Sequence, residues 1–238
     1  MITDLTVLSS RRSYEFRPDR IRLSLLTHQR LHQALREAFG FQVVQNGVPM
    51  ATFGPVAPTI PPGLVCDFGF YTSADGALTP IRFLHFEQAR VVIDISGPSS
   101  RLDAVFQRVR EVLQPFFTPE GPALLGEPTA TREWSELTFQ ASLDPDGFLH
   151  PGIREASLPL AQSLGGDDRV LTPTLIVRWH RKDEPYAGAF GNATNPSEVF
   201  QLELRSGLKP EDRNYFSAAP LDSDAHVSFL TRLLPSLS

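Results

Sequence analysis

Four segments between Leu64 and Phe117 leave the chain few choices. LVCDFGFYT (64–72), IRFLHFE (81–87) and RVVIDIS (90–96) are short, almost continuously apolar runs. Runs of that length, rich in Val, Ile and Phe, read as strands in a well-buried central position. Only residues 88 and 89 part the second from the third, so those two are expected to pair antiparallel. SSRLDAVFQRVREVLQPFF (99–117) follows. Its Leu102, Val105, Phe106, Val109, Val112, Leu113 and Phe116 recur at i, i+3, i+4 and i+7, the stripe of an amphipathic helix, with Ser99 or Ser100 as its cap. Such a helix has one task, to cover a sheet.

The same order recurs further on. WSELTFQASL, TLIVRWHR (174–181) and VFQLELRS (199–206) read as strands, and DSDAHVSFLTRLL as a terminal helix capped by Asp222. LTPIRFLHF begins at Leu78 and LTPTLIVRWH at Leu171. The expected fold is therefore α+β, with two related strand–strand–strand–helix halves whose antiparallel sheets are covered by helices on one face. The segment TPEGPALLGEPTATR (118–132) holds three prolines and two glycines and divides an N-terminal half, 1–118, from a C-terminal half, 119–238.

Ahead of the first strands, SYEFRPDRIRL (13–23) has strand-like composition with a turn at Pro18-Asp19. SLLTHQRLHQALREAFG then carries Leu25, Leu26, Leu31, Leu35, Ala38 and Phe39 near helical spacing. Ser24 or Thr27 is the expected cap and Gly40 the stop. Asn46-Gly47 between apolar runs predicts a type I′ hairpin turn. PVAPTIPPG (55–63) is a proline-rich connection, and DPDG closes the turn after WSELTFQASL. The link between the paired strands of the second half is long, RKDEPYAGAFGNATNPS, and such tips are where binding residues are grafted.

The net charge of −5 argues against a general nucleic-acid binder. Residues 1–118 hold 12 Arg and 10 Asp/Glu, and residues 119–238 hold 10 Lys/Arg and 17 Asp/Glu, so the halves differ in sign. Seven arginines, Arg11, Arg12, Arg17, Arg20, Arg22, Arg30 and Arg36, stand against Glu15 and Asp19. They form either a docking arm for an acidic partner or a solvated basic face. Twenty arginines against two lysines reflect a GC-rich, bacterial genome more than a chemical demand. The lone Cys66 cannot form an intrachain disulfide. The N-terminus lacks the pattern of a signal peptide, and no apolar run approaches the ~20 residues that span a bilayer. A cytoplasmic protein without membrane contact is expected, and in that setting the sequon Asn192-Ala193-Thr194 carries no meaning.

No catalytic constellation stands out. His28 and His32 are four apart, but no glutamate follows the first histidine and no further ligand is placed by spacing, so a metal site is not expected. Asp67-Phe68-Gly69 lacks every other kinase motif. Cys66 inside a strand has no local base and reads as a buried thiol. Tyr14 and His150 are lone polar groups. The densest polar cluster is Arg178, Trp179, His180, Arg181, Lys182, Asp183 and Glu184. It is either a proton-transfer site built on His180 or an edge strand guarded by charge. Tyr186 and Phe190 beyond it suit a docking loop. The expectation is a non-enzymatic, cofactor-free protein-interaction or assembly subunit whose partner is another protein or a second copy. The binding residues would be Arg11, Arg12, Arg17, Arg20, Arg22, Arg178, Trp179, His180, Arg181, Tyr186 and Phe190. One alternative is an RNA-binding or metal-independent RNA-cleaving protein using Tyr14, the arginines and His180. Another is a small-molecule binder between the halves.

Overall fold

The computed structural model describes residues 2–17, 21, 23–47, 63–116, 125–143, 172–179 and 199–237, with single positions at 152, 155 and 159. It is a mixed α+β protein built on one nine-stranded antiparallel sheet with a few helices. The strands are β1 (Ile2–Glu15), β2 (Val43–Gly47), β3 (Gly63–Thr72), β4 (Leu78–Phe86), β5 (Arg90–Ile95), β6 (Ala130–Ala141), β7 (Leu175–Arg178), β8 (Val199–Leu204) and β9 (Asn214–Ala219). Their order across the sheet is β2-β3-β4-β5-β1-β6-β9-β8-β7.

Among the described residues the strands form one sheet rather than two. β1 is the reason: it pairs with β5 on one side and with β6 on the other, and so welds the halves into a continuous ladder. The expected strand at 13–23 is displaced accordingly. Its real extent is Ile2–Glu15, and Pro18-Asp19 falls outside the described residues. The three apolar strands stand where they were expected, and β4 and β5 do pair antiparallel. The second half holds one strand more than expected, β9. The two LTP runs also lead to different places: Leu78 opens β4, third in the sheet, whereas Pro173 precedes β7 at its end.

The helices are α1 (Leu23–Leu26), α2 (Gln29–Phe39), α3 (Leu102–Leu113) and α4 (Ser223–Leu233). The single expected helix of residues 24–39 is broken at Thr27-His28. Neither Ser24 nor Thr27 caps α2; His28 does, its ring accepting from the Arg30 amide. Gly40 ends α2 in the left-handed conformation, φ 61°, with its amide bonded to Arg36 O. That role matches expectation, because a Cβ is penalised there. Ser99 and Ser100 do not cap α3. They lie in a 3₁₀ turn ahead of it, and Ser99 is used elsewhere, as shown below. Asp222 caps α4 as expected, accepting from the amides of Asp224 and Ala225.

Asn46-Gly47 is not a turn. Both residues sit in the β2–β3 ladder, opposite Leu64 and Gly63, and residues 48–62 lie outside the description. The connection 55–62, the DPDG turn and the tip 182–198 likewise fall outside it.

The core forms two apolar clusters. In the first, Leu31, Leu35 and Phe39 of α2 and Leu102, Val105, Phe106 and Val109 of α3 pack with Leu64, Cys66, Ile81, Leu84, Phe86, Ile93 and Ile95 of the strands. In the second, Leu230 joins Leu137, Phe139, Phe200, Leu202 and Tyr215. Leu35 has no exposed surface. Leu35→Ala should cost about 2–5 kcal/mol, seen as a lower urea midpoint with an unchanged slope.

Candidate functional site

The sheet's centre is polar on both faces, and β1 is why. Its run Ser9-Ser10-Arg11-Arg12-Ser13 sends alternate side chains to opposite sides. On one side, register aligns Asp67, Phe83, Asp94, Arg11 and Trp134 across β3, β4, β5, β1 and β6. Arg11 Nε donates to Asp94 Oδ2 at 2.8 Å, and its guanidinium lies 5.0 Å over the Phe83 ring. The register shift between Ile81 and Phe83 brings Arg82 to the same place. Its Nε stands 3.5 Å from Asp94 Oδ1 and its Nη1 donates to Glu136 Oε2 at 3.2 Å. Glu136 also accepts from Ser9 (2.9 Å) and from the Trp134 indole (3.4 Å). Burial pushes the Asp94 carboxyl above its usual range, against the pull of Arg11 and Arg82. The result is a floor of paired charges whose Arg82–Glu136 bond spans the two halves.

On the other side, Arg12 bonds to Glu133 on β6 and to Asp103 in the first turn of α3. Tyr14 stacks on Phe106 with centroids 3.8 Å apart, and burial raises its hydroxyl to about 12. A tyrosine so placed is a packing group rather than a base. Arg11 and Arg12, expected as a basic docking surface, are instead committed to carboxylates on opposite faces. Arg17 is exposed; Arg20 and Arg22 are outside the described residues.

Further reciprocal bonds tie the halves. Ser10 and Ser135 stand directly opposite in the β1–β6 ladder. Ser10 donates to Gly97 O (2.7 Å) and Ser135 to Leu221 O (2.9 Å). Two residues beyond each acceptor, the Ser99 amide donates to Ser223 Oγ and the Ser223 amide to Ser99 Oγ, both at 3.1 Å. Each serine thus satisfies the start of the other's helix. Ser99→Ala and Ser223→Ala should each cost roughly 1–2 kcal/mol, and the double variant should cost about 1 kcal/mol less than their sum, read from a urea double-mutant cycle.

His226 of α4 is fully buried between Ser135 Oγ and Ser217 Oγ, each 2.9 Å from a ring nitrogen. Burial lowers its pKa from 6.5 to about 4. Ser217 Oγ also lies 3.0 Å from Gln201 O; a neutral ring has one N–H, so either Ser135 must donate to the ring and release Leu221 O or Ser217 must do so and release Gln201 O. The unfolded chain binds a proton on this group between pH 6.5 and 4 that the folded chain does not. Stability is therefore full above pH 6.5 and falls as pH drops toward 4, by up to ~3 kcal/mol from this residue. Urea unfolding at pH 7 and pH 4.5 should show a smaller loss for His226→Asn than for the wild type.

His28 and His32 make local bonds, His32 Nε2 lying 2.6 Å from Leu26 O. Among the described residues no group of three or more His, Cys, Asp or Glu could hold a metal ion. Cys66 is buried, and that burial raises its thiol well above the usual value. His85 is buried with Nδ1 3.4 Å from Glu87 Oε1, and Arg90 grips that carboxylate in two-pronged fashion.

The polar cluster expected at 178–184 is only partly described. Arg178 ends β7, Trp179 follows it, and His180, Arg181, Tyr186 and Phe190 lie outside the description. Among the described residues β7 stands at the end of the sheet and pairs with β8 alone. Its exposed side chains are mainly apolar: Ile176 is 46%, Val177 37% and Trp179 50% exposed. The guard of charge expected on this edge is, among the described residues, the one arginine. No described helix is long and apolar enough to cross a membrane. Set against protein-family models and curated proteins, the chain matches none.

Proposed function

We propose that this chain is a cytoplasmic, non-enzymatic protein-interaction or assembly subunit that docks through the β7 edge and the tip at 182–198. The observation that carries this reading is the exposed apolar edge, Ile176, Val177 and Trp179. Sheet edges with unpaired backbone and apolar side chains invite another strand, and proteins that do not use them guard them with lysine, proline or bulges. The polar floor around Asp94 supports the same view from the other direction. Arg11 and Arg82 are spent on Asp94 and Glu136, which suits a role in joining the halves.

The RNA alternative loses Arg11 and Arg12, both held by carboxylates, and Tyr14, held by Phe106. A small molecule between the halves has one observation in its favour, the Arg82–Glu136 junction beside the partly buried Trp134.

The two halves belong, on this reading, to one duplicated unit with its helices on one side of the sheet. Support comes from position. Ser10 faces Ile95 as Ser135 faces Ala219, and Ser99 and Ser223 follow those partners by four residues each. By that relation β1, β5, β4 and β3 correspond to β6, β9, β8 and β7.

Purification from the native host tests the interaction reading. A stoichiometric protein partner that is lost on Trp179→Ser is the expected outcome. A nucleic-acid absorbance removed by high salt would replace it with the RNA reading, and a bound small mass with the third.

A further inference from the structure

The core-facing side chains of β3 and β4 change step at one level. Residues that share a face of a strand are two apart. In β3, Leu64 and Cys66 join the core, and the next position facing it is Gly69, whose Cβ would stand 2.5 Å from the Phe41 ring. In β4, Phe86 and Leu84 join the same core, and the next residue to do so is Ile81. Each strand therefore takes a step of three there and carries one extra residue. The ladder passes from Asp67 opposite Phe83 to Gly69 opposite Ile81, with Phe68 and Arg82 abreast between them. The register of β4 on β5 shifts at the same place. These are paired bulges, devices that re-aim a side chain.

Both bulge residues are marked. Phe68 has φ 57°, the left-handed conformation, which is costly for a residue with a bulky side chain. Its carbonyl accepts from the Gln42 amide at 3.4 Å, and its ring is 47% exposed. Gly69 beside it is pinned, since a Cβ there would also stand 2.9 Å from Phe39 O. Arg82, turned out of β4, reaches the seam: its Nε lies 3.5 Å from Asp94 Oδ1 and its Nη1 donates to Glu136 Oε2 at 3.2 Å.

We propose that the paired bulge is a conformational lever: the left-handed backbone of Phe68 holds Arg82 on Glu136, and so couples an exposed aromatic ring of the first half to the bond between the halves. Phe68 is a positioning residue in this device. An extended Phe68 would return β3 to strict alternation. Gly69 cannot move to absorb the change, so the mismatch passes across the ladder to Arg82 and draws it off Glu136. A glycine at position 68 would hold the same φ without strain. A phenylalanine there bears the strain and presents its ring to solvent. A partner that grips the ring better in one backbone state than in the other shifts the seam with it. The run Asp67-Phe68-Gly69, without meaning as a kinase motif, has one here: a buried residue, a left-handed one, and one without a side chain.

The test separates the backbone of Phe68 from its ring. Phe68→Gly removes the ring and keeps the left-handed conformation. Phe68→Val removes the ring and disfavours positive φ. In full-length protein carrying Trp179→Phe, Trp134 is the sole tryptophan, and its indole donates to Glu136 Oε1 at 3.4 Å. Its emission then reports on that carboxylate, and Arg82→Gln defines the signal of a released Glu136. Phe68→Val should reproduce the Arg82→Gln emission, whereas Phe68→Gly should keep that of the wild type. Urea double-mutant cycles of Arg82→Gln with Glu136→Gln give a second readout. The coupling, about 5-fold in the folding equilibrium constant, should persist in Phe68→Gly and vanish in Phe68→Val. Phe68→Ala serves if Phe68→Val fails to fold, and should lose part of the coupling. Where Arg82→Gln leaves the emission unchanged, the cycles alone decide. A wild type without coupling, loss of coupling in Phe68→Gly, or full coupling in Phe68→Val or Phe68→Ala overturns the proposal.

Discussion

The pairing of β1 with β6 is the constraint on which the rest of this structure hangs. Without it the chain would be two small sheets, each with a raw edge at its most polar strand. With it, nine strands form one ladder, and the groups that would otherwise be buried without partners find them across the seam. Ser9 and Arg82 reach Glu136, and Arg12 reaches Glu133. Each of these bonds alone is worth little, because exchange with water cancels most of its strength. Together they specify register. A slip of one residue would turn Arg11 toward Phe106 and Tyr14 away from it.

This seam also explains what could not be read from the sequence. A strand is recognised by apolar alternation, and β1 has none across Ser9-Ser10-Arg11-Arg12-Ser13, because both of its faces are engaged in polar contacts. The arginines drew attention as a possible basic arm for the same reason: their partners, Asp94, Glu133 and Asp103, are more than eighty residues away. Local chemistry was legible where it is local. Gly40 as a helix stop, Asp222 as a cap, the stripe of α3 and the β4–β5 hairpin all follow from neighbours within a few positions. Asn46-Gly47 shows the limit of such signals, since tertiary pairing with Leu64 and Gly63 overrides a turn preference. β9 escaped notice because NYFSAA is short and half of it is small residues.

The candidate site was legible only in outline. Residues 171–196 stand out as a passage from apolar strand to charge to glycine. The sequence alone cannot say which side chains of such a strand face solvent. The structure puts Ile176, Val177 and Trp179 there, and so turns attention from the charged residues to the apolar ones beside them.

The β1–β6 seam has a consequence for how the protein is made. Ser9 and Glu136 are 127 positions apart, and Arg12 and Glu133 are 121 apart. Contacts so distant along the chain raise the contact order and slow folding, because the loop between them must close before the pairing repays it. β1 leaves the ribosome ahead of every other described strand, yet its two neighbours, β5 and β6, come far later. For much of synthesis it must wait with both edges open. Its serines and arginines then have a second use: a polar strand can wait in water without aggregating, where an apolar one could not.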